Sequence, residues 1–186
     1  MTRAPHAKSF PIAVHFQNAC RSFPDIRTGA RVRLLVDKAE LTRRVSFLLG
    51  LLCDGPSSVN VRFCGSEEMR GVNASFRGKD VPTDVLSFPA GPGFSDTSVR
   101  GRPLYSLGDL LVCVPVCHAQ ARVHRSTHAG EFQKMIVHGL VHLKGFDHER
   151  SDAAWRVMSA LEKALVKQVD AAFGAPGFIG EALGST

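Results

Sequence analysis

The stretch His138-Gly139-Leu140-Val141-His142-Leu143-Lys144-Gly145-Phe146-Asp147-His148 sets three histidines at successive spacings of four and six. Residues four apart share a helical face about one turn apart, so His138 and His142 can bring two imidazoles together. Gly145 suits a turn that ends such a helix and brings the chain back, which makes His148 a third ligand. Three protein ligands leave one position of a tetrahedral ion open, the pattern of a catalytic zinc site, whereas structural sites close all four. A hydrolase holding one Zn2+ per chain on a helix and its following turn is the first expectation.

The residue after the first histidine narrows the chemistry. Metzincin proteases read HExxHxxGxxH, and this chain keeps the histidines and the glycine but has Gly139 where their glutamate stands. With that general base missing and no Met-turn downstream, the pattern argues against peptide hydrolysis. Outward from the histidines, the apolar periodicity predicts a helix from Glu131 through Leu143 and another near Pro115. A last helix follows, with Ser151 as N-cap and Ala154, Met158, Leu161, Leu165 and Val169 at helical intervals. Leu41, Val45, Leu48, Leu49 and Leu52 fall at offsets 0, 4, 7, 8 and 11, one apolar face of an earlier helix that Asp54-Gly55-Pro56 should end. Ser66 reads as the N-cap of a further helix with Glu67 and Glu68 in its first turn.

Strands are expected around Ile12 to Phe16, Val59 to Phe63, Val85 to Phe88 and Leu107 to Val114, with a long loop from Ala90 to Ser106. The sum is an α+β fold in which a small mixed β-sheet packs with helices. One domain is expected over 10–172, with a flexible N-terminus at 1–9 and a flexible tail at 173–186. The 186 residues are 44% apolar, enough for one substantial core, and the formal net charge of +6 favours polyanionic partners such as nucleic acid. No segment reads as a signal peptide or a membrane span, and the five cysteines lack zinc-ribbon spacing, which fits a reducing cytoplasm.

A second motif, Arg77-Gly78-Lys79-Asp80-Val81-Pro82-Thr83-Asp84-Val85-Leu86-Ser87-Phe88-Pro89, runs a charged turn into an apolar strand, and Leu107-Gly108-Asp109 follows it. Together with the histidine run, these segments resemble the bacterial YbeY family over roughly 59–165. The resemblance implies a single-domain zinc endoribonuclease of ribosomal RNA maturation, acting at the 16S 3′ end and in small-subunit quality control. It implies partners in single-stranded or ribosomal RNA, the small ribosomal subunit and its assembly factors. Val141 stands where the family usually has leucine.

On that resemblance Arg77 matches the family's essential arginine, and a guanidinium suits bidentate contact with a phosphate. The attacking group is either activated water or the RNA's own 2′-OH. Asp147, beside a ligand, is a candidate for orienting an imidazole or helping deprotonate water, and otherwise caps a turn. Asp109 is a candidate for function or partner contact. Arg31, Arg33, Arg43 and Arg44 either line an RNA path or form a solvated face. His124 and His128 lack a third partner at useful spacing, and Cys113 and Cys117 read as small buried groups. Two rival readings remain: a metal hydrolase of another substrate, and a ribosome-assembly factor whose zinc only holds the fold.

Overall fold

Thr127 opens the helix around which the molecule is organised: its hydroxyl accepts the Gly130 N–H at 3.0 Å and starts α4 (His128–Leu143). Phe132, Ile136, Val137, Leu140 and Val141 are buried around most of this helix, as expected of one at the centre of a fold. A computed structural model of the chain describes residues 11–18, 20–25, 28–91, 95–99 and 102–183. The sheet against α4 is mixed. Strands β1 (Ile12–Asn18), β4 (Ser57–Cys64) and β7 (Arg102–Cys113) run parallel, while β5 (Val85–Pro89) and β6 (Ser95–Val99) pair antiparallel with β7.

Parallel neighbours require crossover connections, and the chain supplies a helix for each. α1 (Lys38–Leu52), capped by Asp37, lies between β1 and β4, and α2 (Ser66–Arg77) lies between β4 and β7. α1 and α4 share a core with Val59, Val61, Phe63, Leu110 and Val112 of one sheet face. On the opposite face Met69 of α2 packs with Leu86 and Leu111. α3 (Val114–Val123) and α5 (Asp152–Phe173) complete the helical layer, with Ser151 capping α5 as its sequence implies. This is the α+β architecture expected, and all five cysteines are free and buried.

Several local expectations are corrected. Gly65, not Ser66, is the N-cap of α2, and no side chain caps it. The long loop at Ala90 to Ser106 contains β6 and the start of β7, paired as Asp96 with Leu104 and Val99 with Arg102. Its glycine and serine content masks a hairpin whose pairing is local. A second, antiparallel sheet was not legible in the sequence: β2 (Ser22–Pro24), β3 (Arg31–Val36) and β8 (Ile179–Leu183), in the order β2-β3-β8. It also corrects the tail expected from residue 173 as far as Leu183, because Phe178 and Ile179 are buried and β8 pairs with β3 from Val36 to Val32, while 184–186 lie outside the described residues. Burial of Phe178 and Ile179, the Asp37 N–H donated to the Phe178 carbonyl and the strand pairing with β3 together dock it. The N-terminus expected to be flexible at 1–9 lies outside the described residues.

Candidate metal centre

α4 ends where Gly145 takes φ 88°, a conformation that glycine adopts without the penalty a Cβ carries. Gly145 N–H donates to the His142 carbonyl at 2.8 Å and Phe146 N–H to that of Val141 at 3.3 Å, so the chain folds back over the helix end. The turn returns His148 to the two helical histidines, and one nitrogen of each ring lies within 4.8 Å of the others. Gly139, in the place of the protease glutamate, sits against the sheet. A Cβ there would be 2.7 Å from Leu110 Cδ2 and 3.2 Å from Ser87 Oγ, so a side chain at this position would have to displace Leu110 where α4 packs on β5 and β7.

The ring orientations are set from behind. His138 Nδ1 lies 2.7 Å from Glu162 Oε1, and His142 Nδ1 lies 2.9 Å from the Phe146 carbonyl oxygen. Both acceptors require Nδ1 to carry the proton, which leaves Nε2 as the lone-pair nitrogen of each ring. The two Nε2 atoms then face each other at 3.1 Å. Two acceptors at that distance repel unless a cation or proton lies between them, so the donor set fits a metal ion. Burial first, and then the neighbouring His138, lower the His142 pKa and favour the neutral imidazole that a metal needs.

Glu162 could not be read from the histidine motif. It comes from α5, beside the apolar stripe of Leu161 and Leu165, and a carboxylate flanking such a stripe was its only local signal.

The histidines line a cleft of about 770 Å3 that also receives Arg77, Thr83, Ser87 and Phe88. Arg77 is the last residue of α2, and Gly78 caps the helix behind it. Its Nη2 pairs with Glu149 Oε1 at 3.3 Å, with both side chains substantially exposed. Asp147 Oδ1 accepts the Glu149 N–H at 2.9 Å and Oδ2 accepts from Arg150 Nε at 3.2 Å. The backbone N–H of Glu149 is the main cause that holds the Asp147 carboxyl below its ordinary value, with Arg150 adding to it. A carboxylate so engaged shapes a turn and is a weakened base.

Other sequence candidates fall elsewhere. His124 pairs with Glu131 at 3.0 Å, while His128 stacks on His118 with ring centroids 4.3 Å apart. Arg31, Arg33 and Arg43 are exposed, but Arg44 is buried and serves the fold, against its reading as part of an RNA path or a solvated face. Asp84 Oδ1 accepts the Val85 N–H and Oδ2 accepts from Gln120, which fixes the entry into β5. Among the described residues no helix is long and apolar enough to cross a membrane.

The family model described as Endoribonuclease YbeY matches residues 34–170. A curated relative named Endoribonuclease YbeY from Alkalilimnicola ehrlichii is 40% identical over 114 residues, covering 60% of this chain and 64% of the relative. One of the same name from Gloeobacter violaceus is 38% identical over 130 residues, covering 70% and 66%. The matches thus span just under two thirds of those relatives' lengths. The solution structure of TM1509 from Thermotoga maritima shares the fold, with a TM-score of 0.53 at 24% identity over 86% of this chain and 91% of that one.

Proposed function

Because the chain belongs to the YbeY family, we propose that it is a zinc-dependent endoribonuclease that cuts single-stranded RNA in the cytoplasm. Its substrate in this reading is the 3′ end of small-subunit ribosomal RNA, and its partners are the small subunit and the assembly factors bound to it. The observation that carries the reading is the convergence of His138, His142 and His148 in one cleft with Arg77. His138, His142 and His148 would hold the ion, which when bound supplies Lewis acidity and a more acidic water ligand.

The chain's own groups account for the rest. The Arg77 guanidinium is placed to exchange its exposed pair with Glu149 for a phosphate, whose two oxygens match its planar fork. It then stabilises the charge that grows on that phosphate during cleavage. No carboxylate is needed at position 139, because the substrate supplies either its 2′-OH or a phosphorus that water attacks. Asp147 enters as the residue that fixes the turn presenting His148, and a direct part in deprotonating water is the second reading for it.

The test is cleavage of a small-subunit ribosomal RNA 3′-end fragment by wild-type protein and Arg77→Ala prepared side by side, with bound metal quantified in both. Cutting is expected to fall by roughly 100-fold or more with metal content unchanged. Equal cutting by both would remove Arg77 from catalysis and turn the reading toward an assembly factor.

A further inference from the structure

The lining of the metal cleft falls into two stretches of chain, one within 76–89 and one within 138–150. Ser87 Oγ donates to the Gly139 carbonyl at 3.3 Å, and in more exposed surroundings Arg77 pairs with Glu149, so the two stretches face each other as walls. Each wall presents one exposed phenylalanine. Phe76 is 70% exposed and Phe146 38%, although both are large apolar side chains in a cleft otherwise rich in charged and polar groups.

Local structure explains why neither ring is buried. Phe76 continues the stripe of α2 that buries Met69 and Asn73, but it stands past the end of the cover those residues find. Phe88 meets it in an edge contact at 5.0 Å, and at its exposure at least one face of the ring is open to water. Phe146 is fixed through its backbone, whose N–H donates to Val141 and whose carbonyl accepts from His142 Nδ1 at 2.9 Å. The turn that carries His148 therefore also plants this ring beside the candidate ligands.

Charge decides what the rings are needed for. Phe76 also borders a second concavity, of about 420 Å3, which it shares with Asn60, Arg62, Glu68 and Asp109. Asp109 reaches that face where the register of β7 on β4 shifts, and it accepts from Asn60 Nδ2 at 2.7 Å. With Arg62 paired to Glu68, Asp109 leaves that side net negative, which repels a phosphodiester and confines a strand to the metal side of Phe76. On the metal side the charges balance, Arg77, Lys79 and Arg150 standing against Asp84, Asp147 and Glu149. Before an ion is counted, the side chains there give little net attraction for phosphate, so a strand needs a second contribution. Base–aromatic stacking is the one that two open rings supply.

We propose that Phe76 and Phe146 are base-stacking platforms, one on each wall, that receive bases flanking the phosphate held by Arg77. Duplex bases have their faces covered by their neighbours, so such platforms select an unpaired strand. Every base has a π-face, so they select none of the four.

This proposal rests on the RNA-cleaving reading, and the experiment separates the two. Binding to the metal-loaded full chain is measured by fluorescence anisotropy with a five-nucleotide 2′-O-methyl RNA, its intactness checked by electrophoresis, and with the same strand carrying abasic spacers in place of every base. Wild-type protein is expected to bind the base-bearing strand at least about tenfold more tightly than the abasic one. Phe76→Leu and Phe146→Leu should each weaken the base-bearing strand by roughly tenfold, with abasic binding, bound metal and melting temperature unchanged, and Phe76→Trp should restore binding. In cleavage of unmodified RNA the same leucine variants should raise KM by about tenfold with kcat little changed. Base-bearing RNA bound as tightly by both leucine variants as by wild type, or a loss equal for the abasic strand, overturns the proposal and leaves the rings to a protein partner. Stacking in wild-type protein that cuts no RNA would keep the platforms and sink the nuclease reading.

Discussion

Arg44 on α1 and Arg77 at the end of α2 carry the same charge in opposite surroundings. Arg44 is 1% exposed, and its guanidinium meets Glu40 at 2.8 Å, Gln133 at 3.0 Å and the carbonyls of Gly174 and Ala175 at 3.0 and 3.2 Å. It ties α1, α4 and the end of α5 together, and every partner belongs to the fold. Arg77 stands about half exposed with one carboxylate at 3.3 Å, a pair that water and salt screen and a stronger anion can displace. The difference teaches that a saturated buried cation is a structural component, whereas an exposed one with a single exchangeable partner keeps its bonding capacity for a ligand.

The largest test of that contrast is Arg44→Ala, which leaves Glu40, Asp170 and the helix-end carbonyls without their cation. It should destabilise the domain by about 3–5 kcal/mol in urea unfolding, and a loss under about 1 kcal/mol would break the comparison. Next in size is Glu162→Gln, which removes the charged acceptor behind His138. Chelator competition should show metal affinity down about 10- to 100-fold, with the melting temperature of the metal-free protein little changed. Arg77→Lys keeps the charge but loses the planar fork, so kcat/KM for RNA should fall by about tenfold with stability unaltered. The smallest effect is Glu149→Gln. It should change stability by less than about 1 kcal/mol and tighten RNA binding at low salt, and weaker binding would mean that Glu149 positions Arg77 instead of competing for it.

The histidine motif was legible because its information is local: a helical repeat of four, a glycine and a turn suffice to converge three rings. Four of the five strands of the main sheet were legible for a related reason, since period-two apolar runs such as Ile12 to Phe16 mark a half-buried strand whatever it pairs with, while β6 was not. Arg44 was not, because a basic residue on an amphipathic helix gives no sign of whether distant carbonyls will close over it. Nor was the second sheet, whose strand β8 depends on Phe178 and Ile179 finding a site beside β3. Asp109 stands between these cases. Its Leu-Gly-Asp setting is visible in the sequence, but the direction it faces follows from a bulge that exists only in pairing with β4.

By itself, the sequence determined the α+β class and the three metal-binding candidates, because each rests on residue type and short spacing, while Arg77 was singled out only by the resemblance of its motif to the family's. Only the tertiary structure decided that Glu162 backs His138, that Arg44 serves the fold, and that Phe76 and Asp109 frame a second concavity beside the first. Those outcomes join residues far apart in the chain, and their energies come from burial and pairing that no local pattern encodes.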